Sequence, residues 1–280
     1  MTTKRQPLWR HGIQAESGIL SWSEGEGNPP GGPHFSEESM KTVIAEQYRK
    51  YADFIDSIPE LMNSDKGEVL KDKRNSVKRL QHDGLTFIAK RYKRVNWIQS
   101  IIYTHFRRTK AKRAFLFADE FRKRGVNSPR PVAYMEQYER GRFTVGYFVY
   151  EESKGREVFQ ELVKKEHFDH GLADAVTDYI VFMHSRGVLH GDLNSANFLY
   201  TVDAGGRYHF DMIDTNRSHF CDGWPTEKQC LENLKRFTHR HDLYEYVVRG
   251  YARRRGWDEE ETLRKALRLL DKFERRKKLF

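Results

Sequence analysis

Asp192, Asn197 and Asp214 place three oxygen-bearing side chains in one stretch, V-L-H-G-D-L-N-S-A-N-F-L-Y-T-V-D-A-G-G-R-Y-H-F-D-M-I-D-T-N-R, which runs from Val188 to Arg217. One carboxylate that takes or orients a hydroxyl proton, with an amide oxygen and a second carboxylate that hold Mg2+ on nucleotide phosphates, is the set that phosphoryl transfer needs. The spacing supplies a way of gathering them. Phe198-Leu199-Tyr200 reads as a strand, Asp203-Ala204-Gly205-Gly206 as a turn, and Tyr208 to Ile213 as a second strand ending at Asp214. Folding this hairpin back returns Asp214 to Asn197, with Asp192 a few residues upstream on the same polar loop. An unrelated hairpin carrying exposed acids is the plainer alternative, but the matched spacing of three functional residue types argues against it.

The protein-kinase register H-x-D-L-x-x-x-N, followed by D-F-G, stands here as H-G-D-L-N-S-A-N and then I-D-T-N-R. Glycine replaces the arginine that partners a phosphorylated activation segment, D-T-N replaces D-F-G, and no A-P-E element follows Asp214. These departures point away from protein substrates and toward small-molecule or glycan kinases. The H-x-D-L-N-x-x-N loop with I-D-x-x-R resembles the lipopolysaccharide kinase family, whose members phosphorylate Kdo or heptose of the inner core. K-A-K-R-A-F at 110–115 resembles its Bacteroidetes-type members, and G-V-N-S-P-R-P-V-A-Y at 125–134 resembles its link into the fourth strand.

The resemblance implies an α+β, two-lobed protein-kinase-like fold, with an antiparallel β-sheet N-lobe and a mainly helical C-lobe. It implies ATP and Mg2+ as cofactors, Asp192 as the catalytic acid–base group, and Asn197 and Asp214 as metal ligands. F-I-A-K resembles the V-A-I-K strand and nominates Lys90 for the α/β-phosphates. Glu120 is the candidate partner of Lys90, although the family's glutamate aligns with Leu116. Glu151-Glu152-Ser153 is the expected hinge, where backbone groups, those of Glu151 and Ser153, meet adenine. The phosphate-covering loop departs from the kinase pattern. Lys71-Asp72-Lys73-Arg74-Asn75-Ser76 holds no glycine, so Arg74 and the amides of Asn75 and Ser76 are its candidate substitutes. The implied acceptor is a lipid A–core glycolipid, with Kdo favoured. Heptose and aminoglycoside-type kinases are the alternatives within enzymes, and a catalytically inactive kinase-fold module on a membrane surface is the alternative outside them.

Other elements follow from pattern. Tyr48, Tyr51, Phe54, Ile55 and Ile58 have helical spacing before Pro59. Gly67 to Tyr92 reads as strands with a hairpin at Asp83-Gly84, and alternation sets Ile88, Lys90 and Tyr92 on one face. A helix through Ala114–Lys123 ends at Gly125, and a hairpin joins Val132–Tyr138 to Phe143–Tyr150. His167 to Arg186 has the apolar stripe of a long helix, with His184 in it as a structural residue. A last helix from Asp258 carries acids first and bases last, as the helix dipole favours.

The chain has 280 residues, enough for two lobes with a core, and a net charge of +10, which favours an anionic partner. Nine basic residues fall between Lys90 and Arg113, interleaved with Trp97, Ile98, Ile101, Ile102, Tyr103 and Phe106, and no acid stands between Asp83 and Asp119. That composition suits either an interfacial segment on anionic lipid or a helix with a solvated basic face. No nucleic acid is expected, because no recognised binding module accompanies the charge. Cys221 and Cys230 lack metal-ligand spacing and read as ordinary thiols. With no signal-peptide core and no long apolar run, the expected location is cytoplasmic, peripheral on the cytoplasmic face of the inner membrane. Residues 1–39, rich in proline and glycine, read as a disordered extension or an over-called start, 40–150 as N-lobe and 151–280 as C-lobe.

Overall fold

The computed structural model describes residues 38–278, so the reading of residues 1–37 lies outside it. Strands β1 (Glu38–Ile44), β2 (Glu68–Asp72), β3 (Ser76–His82), β4 (Leu85–Arg91), β5 (Pro131–Glu139) and β6 (Arg142–Glu151) form an antiparallel sheet in the order β1-β5-β6-β4-β3-β2. The hairpins turn where the sequence supplies residues that accept left-handed backbone. Asp83 and Gly84 have φ of 46° and 75°, and Arg140 and Gly141 have 48° and 72°. Strand β1 was not expected, and it runs across the anticipated boundary at residue 40.

Alternation gives each sheet face its own core. Phe87 and Ala89 of β4, Met135 of β5, and Tyr147 and Val149 of β6 pack on Ile55, Ile58 and Met62, carried by helices α1 (Ala52–Asp56) and α2 (Ile58–Asn63). Pro59 stands at the start of α2, where its missing N–H costs nothing. Lys78 of β3 is buried and closes the far end of α2, its Nζ donating to the carbonyls of Leu61 (3.0 Å), Ser64 and Lys66 (3.3 Å).

On the other face, Tyr92, Tyr134 and Phe148 meet Ala111, Ala114, Phe115 and Ala118. These belong to α4 (Lys110–Lys123), which follows the shorter α3 (Trp97–His105). Small alanines let α4 lie close to the sheet, and Thr109 fixes its start. The Thr109 Oγ1 accepts from the Lys112 amide (3.1 Å) and donates to the buried Glu136 of β5 (2.6 Å).

The second lobe is largely helical: α5 (Val158–Leu162), α6 (His170–Ser185), α7 (Glu227–Leu234), α8 (His241–Arg255) and α9 (Glu259–Lys278). Leu172, Val176, Ile180 and Met183 of α6 form the expected stripe and bury against Leu243, Tyr244, Val247 and Tyr251 of α8, with Leu263, Ala266 and Leu270 of α9 behind. Short strands β7 (Arg156–Glu157), β8 (Val188–Leu189), β9 (Phe198–Val202), β10 (Tyr208–Met212) and β11 (His219–Phe220) make two small antiparallel sheets on this core, β10-β9-β7 and β11-β8. The fold is α+β, an antiparallel-sheet lobe joined to a helical one. Among the described residues no helix is long and apolar enough to cross a membrane.

Candidate active site

Two strand pairs gather the site. Met212 of β10 lies opposite Phe198 of β9, so the hairpin closes and the Ile213 amide donates to the Asn197 carbonyl (3.0 Å). Phe220 and His219 of β11 pair with Val188 and Leu189 of β8, holding both ends of the loop that carries Asp192. At the turn between β9 and β10, Asp203 accepts from the amides of Gly205 (2.9 Å) and Arg207 (3.0 Å), and these donors hold its carboxyl down at about 2. The structure thus brings Asp192, Asn197 and Asp214 to one place.

Their hydrogen bonds assign their free atoms. Asn197 Nδ2 donates to the Asp192 carbonyl (2.9 Å), which commits the amide nitrogen and leaves Oδ1 without a partner among the described residues. Asp214 Oδ1 accepts from Lys90 Nζ (2.8 Å) and Asn216 Nδ2 (2.6 Å), and its second oxygen has no hydrogen-bond partner among the described residues. Asp214 itself has left-handed backbone, φ 60° and ψ 42°, a conformation that costs about 1 kcal/mol or more outside glycine and is held by the neighbouring strands. Burial opposes its charge. Lys90 first, then Arg217, outweigh that and hold the carboxyl below its ordinary value. An amide oxygen and a carboxylate oxygen, both hard donors, fit Mg2+.

Asp192 is held by arginines. Arg217 Nη1 lies 3.3 Å from Oδ2 and Arg236 Nη1 3.9 Å from Oδ1. His190 is fully buried, and burial lowers its pKa, so it stays neutral and its Nε2–H donates to the Ile213 carbonyl (2.9 Å). That bond fixes the residue before Asp214. Gly191, between His190 and Asp192, has φ 54°, and a Cβ there would come within 2.0 Å of the Arg217 carbonyl oxygen.

Lys90 meets a carboxylate, but not the expected one. Glu120 Oε1 accepts from Arg124 Nε (2.7 Å), and the Nη1 of Arg124 donates to the carbonyls of Arg186 (3.0 Å) and Cys221 (2.8 Å). The reason is position along α4. The helix meets the Thr215–Arg217 turn at Ala114, whose carbonyl accepts from Thr215 (3.5 Å). Glu120 lies six residues on, about 9 Å along the axis. Leu116, the position aligned with the family's glutamate, packs into the apolar cluster beneath Tyr134. Asp214 is therefore the carboxylate that Lys90 holds, and Glu120 instead helps clamp the end of α4 to the helical lobe.

At the hinge, Glu151 Oε1 accepts from Tyr48 (2.6 Å) and its amide donates to the Arg130 carbonyl (3.0 Å), while the Glu152 amide donates to Thr86 (3.0 Å). Ser153 Oγ donates to Asp211 (2.7 Å). Both hinge side chains are thus engaged within the protein, and what remains for a purine is backbone. At the β2–β3 loop, Asn75 Oδ1 accepts from the Lys93 amide (3.1 Å) and Ser76 donates to Asp72 (2.7 Å). A groove of about 510 Å³ beside this loop, lined by Lys73, Arg74, Arg91, Lys93 and Arg94 among others, does not include Asp192, Asn197 or Asp214.

Sequence reasoning missed Arg217 as a site residue, although I-D-x-x-R contains it. It also left Lys110 and Arg113 to either a lipid surface or a solvated helix face, whereas both are half-buried and lie within electrostatic range of Arg217. Their spacing of three on the face beside Ala111 and Ala114 was the available signal.

The model of the lipopolysaccharide kinase (Kdo/WaaP) family matches residues 71–264. Among solved structures, WaaP in complex with acyl carrier protein superposes with a TM-score of 0.55 at 20% identity, over 86% of this chain and 99% of that one. The likeness is one of fold, and it places the two lobes in the protein-kinase-like class. A stretch of 81 residues is 33% identical to ribosomal protein S6 kinase alpha-6 of Danio rerio, covering 28% of this chain and 11% of that protein.

Proposed function

Because the chain belongs to the lipopolysaccharide kinase (Kdo/WaaP) family, we propose that it uses ATP and Mg2+ to phosphorylate a sugar hydroxyl of the lipid A–inner core, that of Kdo. The observation that carries this reading is the convergence of Asp192, Asn197 and Asp214 beside Lys90. Asp192, held by Arg217 and Arg236, orients the acceptor hydroxyl and takes its proton. Asn197 Oδ1 and Asp214 would hold Mg2+, which neutralises phosphate charge when bound. Lys90 supplies a fixed positive charge on the same side. The hinge backbone around Ser153, apart from the Glu151 and Glu152 amides already bonded to Arg130 and Thr86, would meet the base of the nucleotide. In this reading the exposed apolar residues of α3 rest on the anionic cytoplasmic face of the inner membrane, where the acceptor is presented.

Intact metal-ligand positions weigh against an inactive scaffold, which has no use for them. The discriminating experiment is mass spectrometry of lipid A–core from cells with and without this protein. Loss of one phosphate, mapped by fragmentation to Kdo, is the expected result. A phosphate lost from heptose would move the acceptor, and an unaltered core would end the reading.

A further inference from the structure

Arg113 is a cation with no counter-charge among the described residues. It lies in the first turn of α4, half-buried, and its Nε atom is shielded from solvent with no hydrogen-bond acceptor. Lys110, one turn earlier, is also half-buried, and among the described residues no carboxylate pairs with either. What surrounds them is positive. Burial first, and then Arg74, Arg217, Arg113 and Lys90, push the Lys110 amine below its ordinary value; burial, Arg107 and Arg217 do the same to Arg113.

Folded proteins do not gather half-buried cations without a reason, since each carries a desolvation penalty that only an opposite charge offsets. Here the counter-charge is not among the described residues. The cluster also faces the chemistry rather than lipid. The first turn of α4 lies against the Thr215–Arg217 turn, and Arg217 reaches from that turn to Asp192. We infer that Lys110, Arg113 and Arg217 form an anion subsite beside the catalytic loop, taking a phosphate or carboxylate group brought by one of the two substrates. The inference rests on the phosphotransferase reading for the identity of those substrates, but not for the existence of the site.

The test uses the full chain and inorganic phosphate as probe, with thermal unfolding measured in potassium phosphate and in potassium chloride of matched ionic strength. Phosphate should stabilise the wild type beyond chloride. Arg113→Gln should start above the wild type in chloride, because a buried unpaired charge is gone, and should lose most of the phosphate gain. Arg113→Lys should keep part of it. An equal gain in wild type and Arg113→Gln, no gain in the wild type, or a lower starting Tm in Arg113→Gln would each overturn the proposal. Kinetics then separate the two sources. KM is measured for ATP and for two lipid A–core acceptors, one with its sugar carboxylate free and one with it methyl-esterified. A rise of about tenfold or more in Arg113→Gln confined to the free acid assigns the subsite to the acceptor. The same rise confined to ATP assigns it to the nucleotide, and no rise in either overturns it. A wild type that turns over neither acceptor but keeps its phosphate response would end the sugar-kinase reading and leave the anion site standing.

Discussion

Gly191 occupies the place where protein kinases carry arginine, and its backbone explains why no side chain is tolerated there. With φ at 54° and the Arg217 carbonyl 2.0 Å from where a Cβ would sit, the loop and the turn after Asp214 touch backbone to backbone. The arginine has not simply been lost, because Arg217 approaches Asp192 from the turn after Asp214. Gly191→Ala should therefore separate the two segments, lowering Tm and cutting kcat about a hundredfold or more through misplacement of Asp192. A variant with unaltered kcat would remove that contact from the argument. Asp192→Asn should keep the wild-type Tm and lose about 10²–10⁴ in kcat. Asp214→Ala and Asn197→Ala should each raise the Mg2+ concentration for half-maximal rate, Asp214→Ala more because a charge is lost. Superimposable Mg2+ titrations would leave the hairpin without its proposed role. At this scale the sequence was legible wherever partners are near in the chain, as in Asp192, Asn197 and Asp214. Glu120 was misread because its partner is decided by how far α4 advances over the sheet, and no local pattern encodes that.

Elements were legible where turn chemistry or a stripe marks them. Asp83-Gly84 and Arg140-Gly141 announce their hairpins, and the stripe of α6 announces its buried face. Strand β1 was not legible: E-S-M-K-T-V-I has no clean alternation, since it pairs along one side only, with β5, and leaves its first residues exposed. Pro59, taken as the close of a helical stretch, instead opens α2. The structural reading of His184 in α6 meets a definite environment. Fully buried, it donates from Nε2 to Asn233 Oδ1 (3.1 Å) and accepts at Nδ1 from the Tyr251 hydroxyl (2.8 Å), and burial holds its pKa at about 4 against an ordinary 6.5. The unfolded chain takes up this proton near 6.5 and the folded protein only near 4. His184 therefore supports the fold fully above pH 6.5, and that support drains away as the pH falls toward 4, by about 3 kcal/mol in all. His190, also lowered by burial, acts with the same sign. Urea unfolding at pH 7.5 and pH 5 should show a steep loss in the wild type and a shallower one in His184→Asn, whatever the variant's absolute stability. Equal slopes would mean that another group carries the acid sensitivity.

Over the whole molecule, the basic stretch from Lys90 to Arg113 divides in a way that composition could not reveal, because a helix break falls inside it. Lys90 reaches Asp214, and Lys110 and Arg113 are partly buried. Arg107 and Arg108 stay on the surface, next to an α3 that is apolar on its outer side. Ser100 Oγ donates to the Phe143 carbonyl (2.6 Å), Thr104 Oγ1 accepts from the Phe143 amide (3.0 Å), and Tyr103 lies edge-on to the Phe143 ring. These contacts fix α3 on β6 and leave Trp97 70% and Phe106 77% exposed, with Ile98 and Ile102 beside them. Large side chains so exposed, next to surface arginines on a chain of net charge +10, match the two forces that hold proteins at an anionic bilayer. The two forces predict different variants. Trp97→Ser, Ile98→Ser and Phe106→Ser together remove several kcal/mol of apolar insertion, about 1.5–3 for each side chain if fully inserted, and should weaken sedimentation with phosphatidylglycerol liposomes at low and high salt alike. Arg107→Gln with Arg108→Gln removes about 2 kcal/mol at most, and its effect should fade as salt shortens the Debye length. The apolar set does not touch the site, so turnover of a soluble, delipidated acceptor should stay at the wild-type rate in the triple variant. Sedimentation of the triple variant equal to wild type would return α3 to a packing role on the first lobe. Loss of soluble turnover would show instead that α3 supports the site through α4.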